Sequence, residues 1–152
     1  MNLREVVHEA LLLCRSRTKL CEIAIDVQDT SIVADATGVG QLVMNLVSNA
    51  ADALAEAKAK GHCDDPRIHV HAAVADGEVC FEVHDSGPGI PEALRAKILE
   101  PFFTTKPRGQ GTGLGLAIVQ RVVRQHDGTL TIGRSGGLGG ARFRIVIPQR
   151  PA

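Results

Sequence analysis

Two alternating segments joined by an Asp-Gly pair constrain the fold of this chain more than any other feature. Residues 67–75 (RIHVHAAVA) and 78–84 (EVCFEVH) alternate between apolar and polar side chains, the pattern of a strand with one buried face. Asp76 and Gly77 separate them, and an Asp-Gly pair in that position is a strong signal for a tight β-hairpin. The buried face of this hairpin requires other elements to cover it.

Helical and extended segments alternate along the rest of the chain. Residues 2–17 have apolar side chains at helical spacing, and Asn2 with Glu5 forms a capping-box pattern at their start. A longer apolar-rich helix is predicted from Asp35 to about Lys60. The other predicted elements are strands at 20–27, 31–34, 129–134 and 141–147 and helices at 91–98 and 114–125.

These elements predict the fold class. Strands that follow one another in pairs favour antiparallel pairing. We therefore expect a two-layer α/β sandwich, in which helices cover one face of a mixed, mostly antiparallel sheet. The chain has 152 residues, 44% of them hydrophobic, and no linker-like stretch, so residues 1–152 are predicted to form a single domain.

The composition excludes several classes of function. Lys and Arg number 17, as do Asp and Glu, so the chain lacks the basic excess typical of nucleic-acid or anionic-membrane binding. Aromatic residues make up only 3%, too few for base stacking.

No apolar run reaches the roughly 18–20 residues that span a bilayer, and the charged N-terminal segment is not typical of a signal peptide. The four cysteines lack C-x-x-C spacing, which favours reduced cytoplasmic thiols over a metal or redox motif.

Four short motifs carry the functional signal. The chain has no Gly-Lys pair for a P-loop, and its glycines at 109–115 lack the register of a dinucleotide fingerprint. The motifs present are Asn45 and Asn49 on one helix face, DSGPG at 85–89 directly after a strand, PFFTTK at 101–106, and GTGLGL at 111–116 directly before a helix. Each motif alone is weak, but the four in this order and on these elements are highly specific.

This set of motifs resembles the ATP-binding catalytic domain of sensor histidine kinases, from about residue 2 to residue 148. That domain has the Bergerat fold of the GHKL superfamily, which also includes gyrase, the large heat-shock chaperone ATPases and mismatch-repair ATPases. The Phe-Thr-Thr-Lys stretch is similar to that of kinases of the nitrogen-regulation and oxygen-sensing type. The resemblance implies ATP and Mg²⁺ as ligands.

The resemblance also implies a role for each motif. Asp85 would accept a hydrogen bond from the exocyclic amine of adenine, and the flanking Gly87 and Gly89 would let the backbone approach the base. Asn49 would be the Mg²⁺ ligand. Lys106 would reach the γ-phosphate from a loop that is predicted to act as a lid. The remaining implied nucleotide contacts are Asp52, Ile90, Phe102, Thr105, Gly111, Thr112, Gly113, Leu114, Gly115 and Leu116.

Asn45 distinguishes a kinase from a hydrolase within the resemblance. The members that hydrolyse ATP carry a Glu four residues before the magnesium Asn, and an amide cannot replace that base. We therefore expect the isolated domain to bind MgATP but to hydrolyse it poorly, with Asn45 and Lys106 as the catalytic candidates.

The partners that the resemblance implies depend on where the phosphoacceptor histidine lies. His8-Glu9 lacks the following Pro of a phosphoacceptor helix, so the acceptor histidine is expected on a separate dimerisation and histidine phosphotransfer domain. A response regulator receiver domain would be the next partner. The expected location is the cytoplasm, either free or as the cytoplasmic part of a membrane-bound sensor.

Two alternatives stay open at this point. A non-catalytic docking adaptor with a partly degenerate pocket is favoured by Ala141, because the family commonly has a Thr there whose hydroxyl supports the adenine carboxylate through water. Ala141 is the only support for this alternative, and the intact glycine motifs argue against it. A separate departure from the family pattern is Asp52, which stands where a Lys or Arg that contacts phosphate is common. A serine kinase of the anti-sigma type would have a similar pocket, but PFFTTK and GTGLGL disfavour it.

Overall fold

Five strands form one sheet, and helices cover one of its faces. The computed structural model describes residues 1–100 and 115–149. Its strands are β1 (Glu22–Val27), β2 (Arg67–Ala75), β3 (Glu78–Asp85), β4 (Thr129–Arg134) and β5 (Ala141–Pro148), and its helices are α1 (Leu3–Leu13), α2 (Ala36–Ala59), α3 (Glu92–Arg95) and α4 (Gly115–Gln125). The strand order is β1-β2-β3-β5-β4, with β1 parallel to β2 and the other neighbours antiparallel. The predicted sandwich with a mixed, mostly antiparallel sheet is confirmed.

The β2–β3 hairpin is the centre of the sheet. Its register pairs Ala75 with Glu78 at the turn and Ile68 with Asp85 at the open end. Asp76 has φ 52° and Gly77 has φ 75°, so both turn residues are left-handed, as the tight turn predicted from the Asp-Gly pair requires. The hairpin therefore places Asp85 at the opposite end of the sheet from the turn.

The predicted helix starts are confirmed by their side-chain caps. The Asn2 side chain accepts a hydrogen bond from the Glu5 backbone N–H (3.0 Å), and Asp35 accepts one from the Gly38 N–H (3.2 Å). α1 ends at Leu13, four residues before the predicted end, and turns follow it. The long helix α2 connects the parallel strands β1 and β2, which a short turn cannot do.

The predicted strand at 31–34 is wrong. Ser31 forms only an isolated bridge with Asn2. The next residues bond elsewhere: the Ile32 N–H donates to the Met1 carbonyl (2.8 Å), and the Val33 N–H donates to the Gln149 side chain (2.8 Å). Because those partners are not in one neighbouring strand, no ladder forms. The predicted helix at 91–98 is likewise divided, into α3 and a 3₁₀ turn at Lys97–Leu99.

The core lies between α2 and the sheet. Alternate residues of β2, β3 and β5 face the helices and are buried, as the sequence alternation predicts. The largest side chains that are fully buried are Leu3, Leu42, Leu46, Leu54, Ile68, Phe81, Ile145 and Ile147. Within the described residues, no helix has the length and apolar character needed to cross a membrane.

Gly128, which lies between α4 and β4 in the chain, is required by close packing against β5. A Cβ at this position would lie 2.6 Å from the Val146 carbonyl oxygen and 3.2 Å from Ile147 Cγ1. We expect Gly128→Ala to lower the free energy of unfolding by about 1–3 kcal/mol, the usual cost of overpacking. Urea denaturation with an unchanged m-value measures this loss. Gly136→Ala is the matched control, because nothing lies within 4 Å of its Cβ position, and equal losses in the two variants would contradict the packing explanation.

Candidate functional site

Asp85, a buried carboxylate, is the last residue of β3 and forms one side of the site. Asp85 is only 5% exposed. Its Oδ1 accepts hydrogen bonds from the backbone N–H groups of Gly87 (2.9 Å) and Ala141 (3.1 Å). Its Oδ2 makes no hydrogen bond within the described ranges, so one oxygen stays available as an acceptor for a ligand N–H. Burial raises the pKa of this carboxyl, and the two N–H groups oppose the rise.

The backbone packs against Asp85 so closely that side chains are excluded. A Cβ on Gly140 would overlap Asp85 Oδ1 and would lie 2.7 Å from the Gly87 nitrogen. Gly89 has φ 81°, a conformation that glycine adopts without strain. Within the 85–89 motif, a Cβ on Gly87 would lie 3.2 Å from Asp85 Oδ1, so glycine at this position leaves room for the carboxylate.

Ser135 holds the β4–β5 turn against this carboxylate. Its side chain is 1% exposed; the hydroxyl oxygen accepts from the Leu138 N–H (3.0 Å) and lies 2.8 Å from His84 Nδ1. The Ser135 N–H donates to the Gly140 carbonyl (2.7 Å). The turn therefore fixes Gly140 and the Ala141 N–H in contact with Asp85.

Ser135, Gly140 and the Ala141 amide were not predicted as site residues. The glycine cluster at 136–140 is the sequence signal that could have indicated them, because one of its members, Gly140, packs against Asp85. Ala141 was noted only for its missing hydroxyl, whereas its contribution in the structure is its backbone N–H.

Asn45 and Asn49 share one face of α2, as their four-residue spacing predicts, and the structure places that face against the start of α4. A Cβ on Gly115 would lie 3.5 Å from Asn45 Oδ1 and 3.5 Å from both amide atoms of Asn49. Asn45 Nδ2 donates to the Gln41 carbonyl (2.8 Å), while the Asn49 amide makes no hydrogen bond among the described residues. The first asparagine is therefore oriented by its own helix, and the second is free to bind a ligand.

One helix connects the two parts of the site. The Cβ position of Gly87 lies 3.5 Å from Leu54 Cδ2, and Leu54 is fully buried on α2 five positions beyond Asn49. The motif at 85–89 and the asparagine pair therefore pack on the same helix. A ligand that contacts both Asp85 and Asn49 would lie along α2.

The other predicted site residues divide between described and undescribed parts of the chain. Ile90 and Leu116 are partly buried against the core, and Asp52 is partly buried on α2 with an interaction of its own. Seven predicted positions lie outside the described residues: Phe102, Thr105, Lys106, Gly111, Thr112, Gly113 and Leu114.

The described side chains form no preassembled metal cluster. No group of three His, Cys, Asp or Glu residues in the two described ranges is arranged to hold a metal ion. His69 and His71 share the open face of the sheet, as predicted, with ring centroids 6.5 Å apart, and His84 lies 6.0 Å from His69. All four cysteines are free thiols.

Comparison with known proteins gives the family. The family model for histidine kinase-, DNA gyrase B- and HSP90-like ATPases matches residues 34–151. The C4-dicarboxylate transport sensor protein DctS of Rhodobacter capsulatus is 35% identical over 97% of this chain. The signal transduction histidine-protein kinase/phosphatase MprB of Mycobacterium sp. (strain KMS) is 35% identical over 99% of it. The chain therefore belongs to this ATPase family, and its relatives are sensor histidine kinases.

Solved structures agree with this assignment. The mycobacterial sensor histidine kinase MprB has a TM-score of 0.81 at 31% identity, covering 100% of this chain and 97% of that one. The catalytic domain of histidine kinase ThkA also has a TM-score of 0.81 at 31% identity, covering 98% and 93%. Full-length ShkA in complex with AMPPNP has a TM-score of 0.78 at 30% identity, covering 97% of this chain but 30% of its own. The fold is therefore that of histidine kinase catalytic domains.

The chain is much shorter than its relatives. It spans 22% of the length of DctS and 29% of the length of MprB. The matched region is the ATPase-family domain, and it corresponds to less than a third of each relative.

The raised pKa of Asp85 makes stability depend on pH. A carboxyl whose pKa is higher in the folded state than in the unfolded state binds its proton more tightly when folded. The wild type therefore loses stability as the pH rises from about the unfolded value of 3.8 through the raised folded value. Asn keeps the acceptor oxygen for Gly87 and Ala141 but carries no charge, so we expect Asp85→Asn to be more stable than the wild type at neutral pH.

Urea denaturation of both proteins across the pH range measures this difference. The gap in unfolding free energy should be smallest near pH 4 and should grow towards neutral pH. Asp64→Asn, in an exposed loop, is the matched control and should follow the wild type at every pH. A constant gap for Asp85→Asn would contradict burial as its cause.

Proposed function

We propose that this chain binds MgATP and donates the γ-phosphoryl group to a histidine on a separate helical dimerisation domain of a two-component sensor kinase. The observation that carries the proposal is the buried Asp85 carboxylate, with one oxygen held by two backbone N–H groups and the other left as an acceptor. Family membership supports ATP as the ligand. The structural neighbour ShkA, solved with AMPPNP, adds support from a similar fold.

The acceptor oxygen of Asp85 favours adenine over guanine. Adenine presents an amino group that donates a hydrogen bond, whereas guanine presents a carbonyl oxygen at the same position. Two acceptors would then face each other in a buried site, which costs about 1–3 kcal/mol. This cost corresponds to roughly tenfold to hundredfold selection for ATP.

Asn49 suits a magnesium ion that is bound mainly through phosphate. Mg²⁺ prefers hard oxygen ligands and commonly takes one or two protein groups, with phosphate oxygens and water completing its shell. The Asn49 amide, without a hydrogen bond among the described residues, fits such a single contact. The bound ion would neutralise charge on the triphosphate.

Asn45 favours transfer over hydrolysis. Its amide cannot take a proton from water at neutral pH, and its Nδ2 is already engaged by the Gln41 carbonyl. The proposed reaction forms a bond between phosphorus and an imidazole nitrogen of the acceptor, breaks the bond to the bridging oxygen, and releases ADP. Asn45 would orient the transferring group, and Lys106 would add a positive charge there.

The same proposal includes the remaining contacts and partners. The triphosphate would bind near the Gly115 end of α4, where backbone N–H groups and the helix dipole favour anions. The partners would be the dimerisation and histidine phosphotransfer domain and a response regulator receiver domain. We place the chain in the cytoplasm, as part of a longer sensor.

The backbone contact of Ala141 argues against the adaptor alternative. The missing hydroxyl suggested a degenerate pocket, but the Ala141 backbone N–H holds Asp85 directly at 3.1 Å. That contact does not depend on the side chain. Nothing in residues 1–100 or 115–149 specifically favours the serine-kinase alternative.

Thermal melts with nucleotides test the site. A ligand at 100 times its dissociation constant adds about 2.7 kcal/mol of stability, or roughly 5–10 °C for a domain of this size. We expect that shift with MgATP, a smaller one with MgGTP, and a reduced one with ATP plus a chelator. Asp85→Asn should lose the ATP shift while staying folded, and Asn49→Ala should lose the part that depends on Mg²⁺.

The matched control is Asp64→Asn, which should keep the full shift because its side chain is exposed in a loop. An equal shift with MgGTP would refute the proposed adenine contact. An ATP shift that survives in Asp85→Asn would refute the role of that carboxylate.

Phosphoryl transfer to a histidine-bearing helical domain distinguishes a kinase from a hydrolase. With radiolabelled ATP, the wild type should label a separately made histidine-bearing helical domain but release little free phosphate alone. A variant of that domain lacking the acceptor histidine should stay unlabelled. Vigorous hydrolysis by the isolated chain that survives Asn45→Ala would contradict the proposed reaction.

A further inference from the structure

We propose that His84 is a positioning residue for the adenine contact, and that it acts through Ser135 and the β4–β5 turn rather than by touching the nucleotide. This inference rests on the proposed function and goes beyond it, because it places a determinant of base selectivity on the open face of the sheet. It is carried by a chain of hydrogen bonds that begins at Glu82 and ends at the Asp85 carboxylate.

Two consecutive residues of β3 hold the two ends of the β4–β5 turn. His84 Nδ1 lies 2.8 Å from the hydroxyl oxygen of Ser135, the residue directly after β4. Asp85 Oδ1 accepts from the N–H of Ala141, the first residue of β5 (3.1 Å). Because successive side chains of a strand point to opposite faces, the turn is held from both faces of the sheet.

The turn itself connects these two attachments through short backbone hydrogen bonds. The Ser135 N–H donates to the Gly140 carbonyl (2.7 Å), and the Gly139 N–H donates to the Ser135 carbonyl (2.9 Å). The Leu138 N–H donates to the Ser135 hydroxyl oxygen (3.0 Å). A displacement of Ser135 would therefore be passed to the Ala141 N–H.

Glu82 determines which nitrogen of the His84 ring carries the proton. His84 Nε2 lies 3.0 Å from Glu82 Oε1, and a carboxylate only accepts hydrogen bonds, so Nε2 is the donor. In the neutral ring Nδ1 is then an acceptor. The Ser135 hydroxyl donates to Nδ1 while its oxygen accepts from the Leu138 N–H.

Burial makes the bond between Ser135 and His84 hard to replace. Ser135 is 1% exposed, whereas the His84 side chain is 18% exposed. The Ser135 hydroxyl has no other acceptor within the described residues. A buried hydroxyl that loses its acceptor is costly, because water cannot reach it.

Loss of the His84 acceptor would therefore move the turn. The Ser135 hydroxyl would have to shift to reach water, and the Ala141 N–H would shift with it. The Asp85 carboxylate would then keep only the bond from Gly87 and would be free to rotate. Its second oxygen would no longer be directed at the amino group of adenine.

Substitutions that each mimic one ring nitrogen test this chain. Asn can place an amide oxygen at the position of Nδ1, and Gln can place its amide at the position of Nε2. His84→Asn should therefore keep the bond to Ser135, whereas His84→Gln should keep only the bond to Glu82. The matched controls are the same two substitutions at His69, which pairs with His84 in the register and makes no hydrogen bond within the described residues.

The measurement is the ratio of the dissociation constants for MgGTP and MgATP, determined by calorimetry at about pH 8, where imidazole rings are ordinarily neutral. We expect His84→Gln and Ser135→Ala to weaken MgATP binding about fivefold, the effect of roughly one neutral hydrogen bond. MgGTP binding should change little, because guanine does not use the acceptor oxygen of Asp85. His84→Asn and both His69 variants should keep the wild-type ratio.

The ratio separates positioning from general damage to the fold. A loosened fold would weaken both nucleotides equally and would not be rescued by Asn. Urea denaturation without nucleotide shows that each variant is folded. An unchanged ratio in both His84→Gln and Ser135→Ala would overturn the proposal, as would equal losses in His84→Asn and His84→Gln.

NMR of the isotope-labelled chain tests the hydrogen-bond chain without any nucleotide. The backbone amide signal of Ala141 reports its bond to Asp85, so it should move in His84→Gln and Ser135→Ala and stay near its wild-type position in His84→Asn. A signal that stays in place in all three variants would overturn the chain. Absence of MgATP binding by the wild type would instead overturn the proposed function, so the two failures are distinguishable.

Discussion

The hydrogen bonds from Gly87 and Ala141 to the Asp85 carboxylate are the interaction on which the site depends. The bond from Ala141 joins the start of β5 to the end of β3, which are 56 residues apart in the chain. A buried charge without partners would cost several kcal/mol, so the surrounding backbone has to provide donors. It does so without side chains, since the Cβ of Gly140 would overlap the carboxylate. The close approach of Gly140 to the carboxylate follows from that requirement.

The second half of the site depends on α2. This helix connects the parallel strands β1 and β2, so it must run the length of the sheet and lie against it. Its buried face packs on the core, while Asn45 and Asn49 face the start of α4. One rigid element therefore carries the asparagine pair and supports the glycine motif through Leu54. The distance between the two parts of the proposed site is set by helix geometry rather than by a loop.

The sequence predicted those parts of the fold that local patterns determine. The Asp-Gly turn, the alternation in β2 and β3, and the caps at Asn2 and Asp35 all depend on neighbours within a few residues, and all are confirmed. The strand at 31–34 was wrong because its backbone bonds to Met1 and to the Gln149 side chain, which are distant in sequence. For the site, the positions of Asp85 and the asparagines were predictable from motifs. The contributions of Ser135, Gly140 and the Ala141 amide were not, because they arise from β5 packing beside β3.

Burying the Asp85 carboxylate lowers the stability of the free domain, so the abundance of the domain in a cell depends on its ligand. A native state that carries an ionised buried group is less stable than the fold alone would allow, and ligand binding adds back stability by mass action. Domains of marginal stability are cleared in cells through their unfolded fraction, and a change of 1–2 kcal/mol alters abundance several-fold. If ATP is the ligand, as proposed, cells depleted of ATP would hold fewer intact copies of this domain.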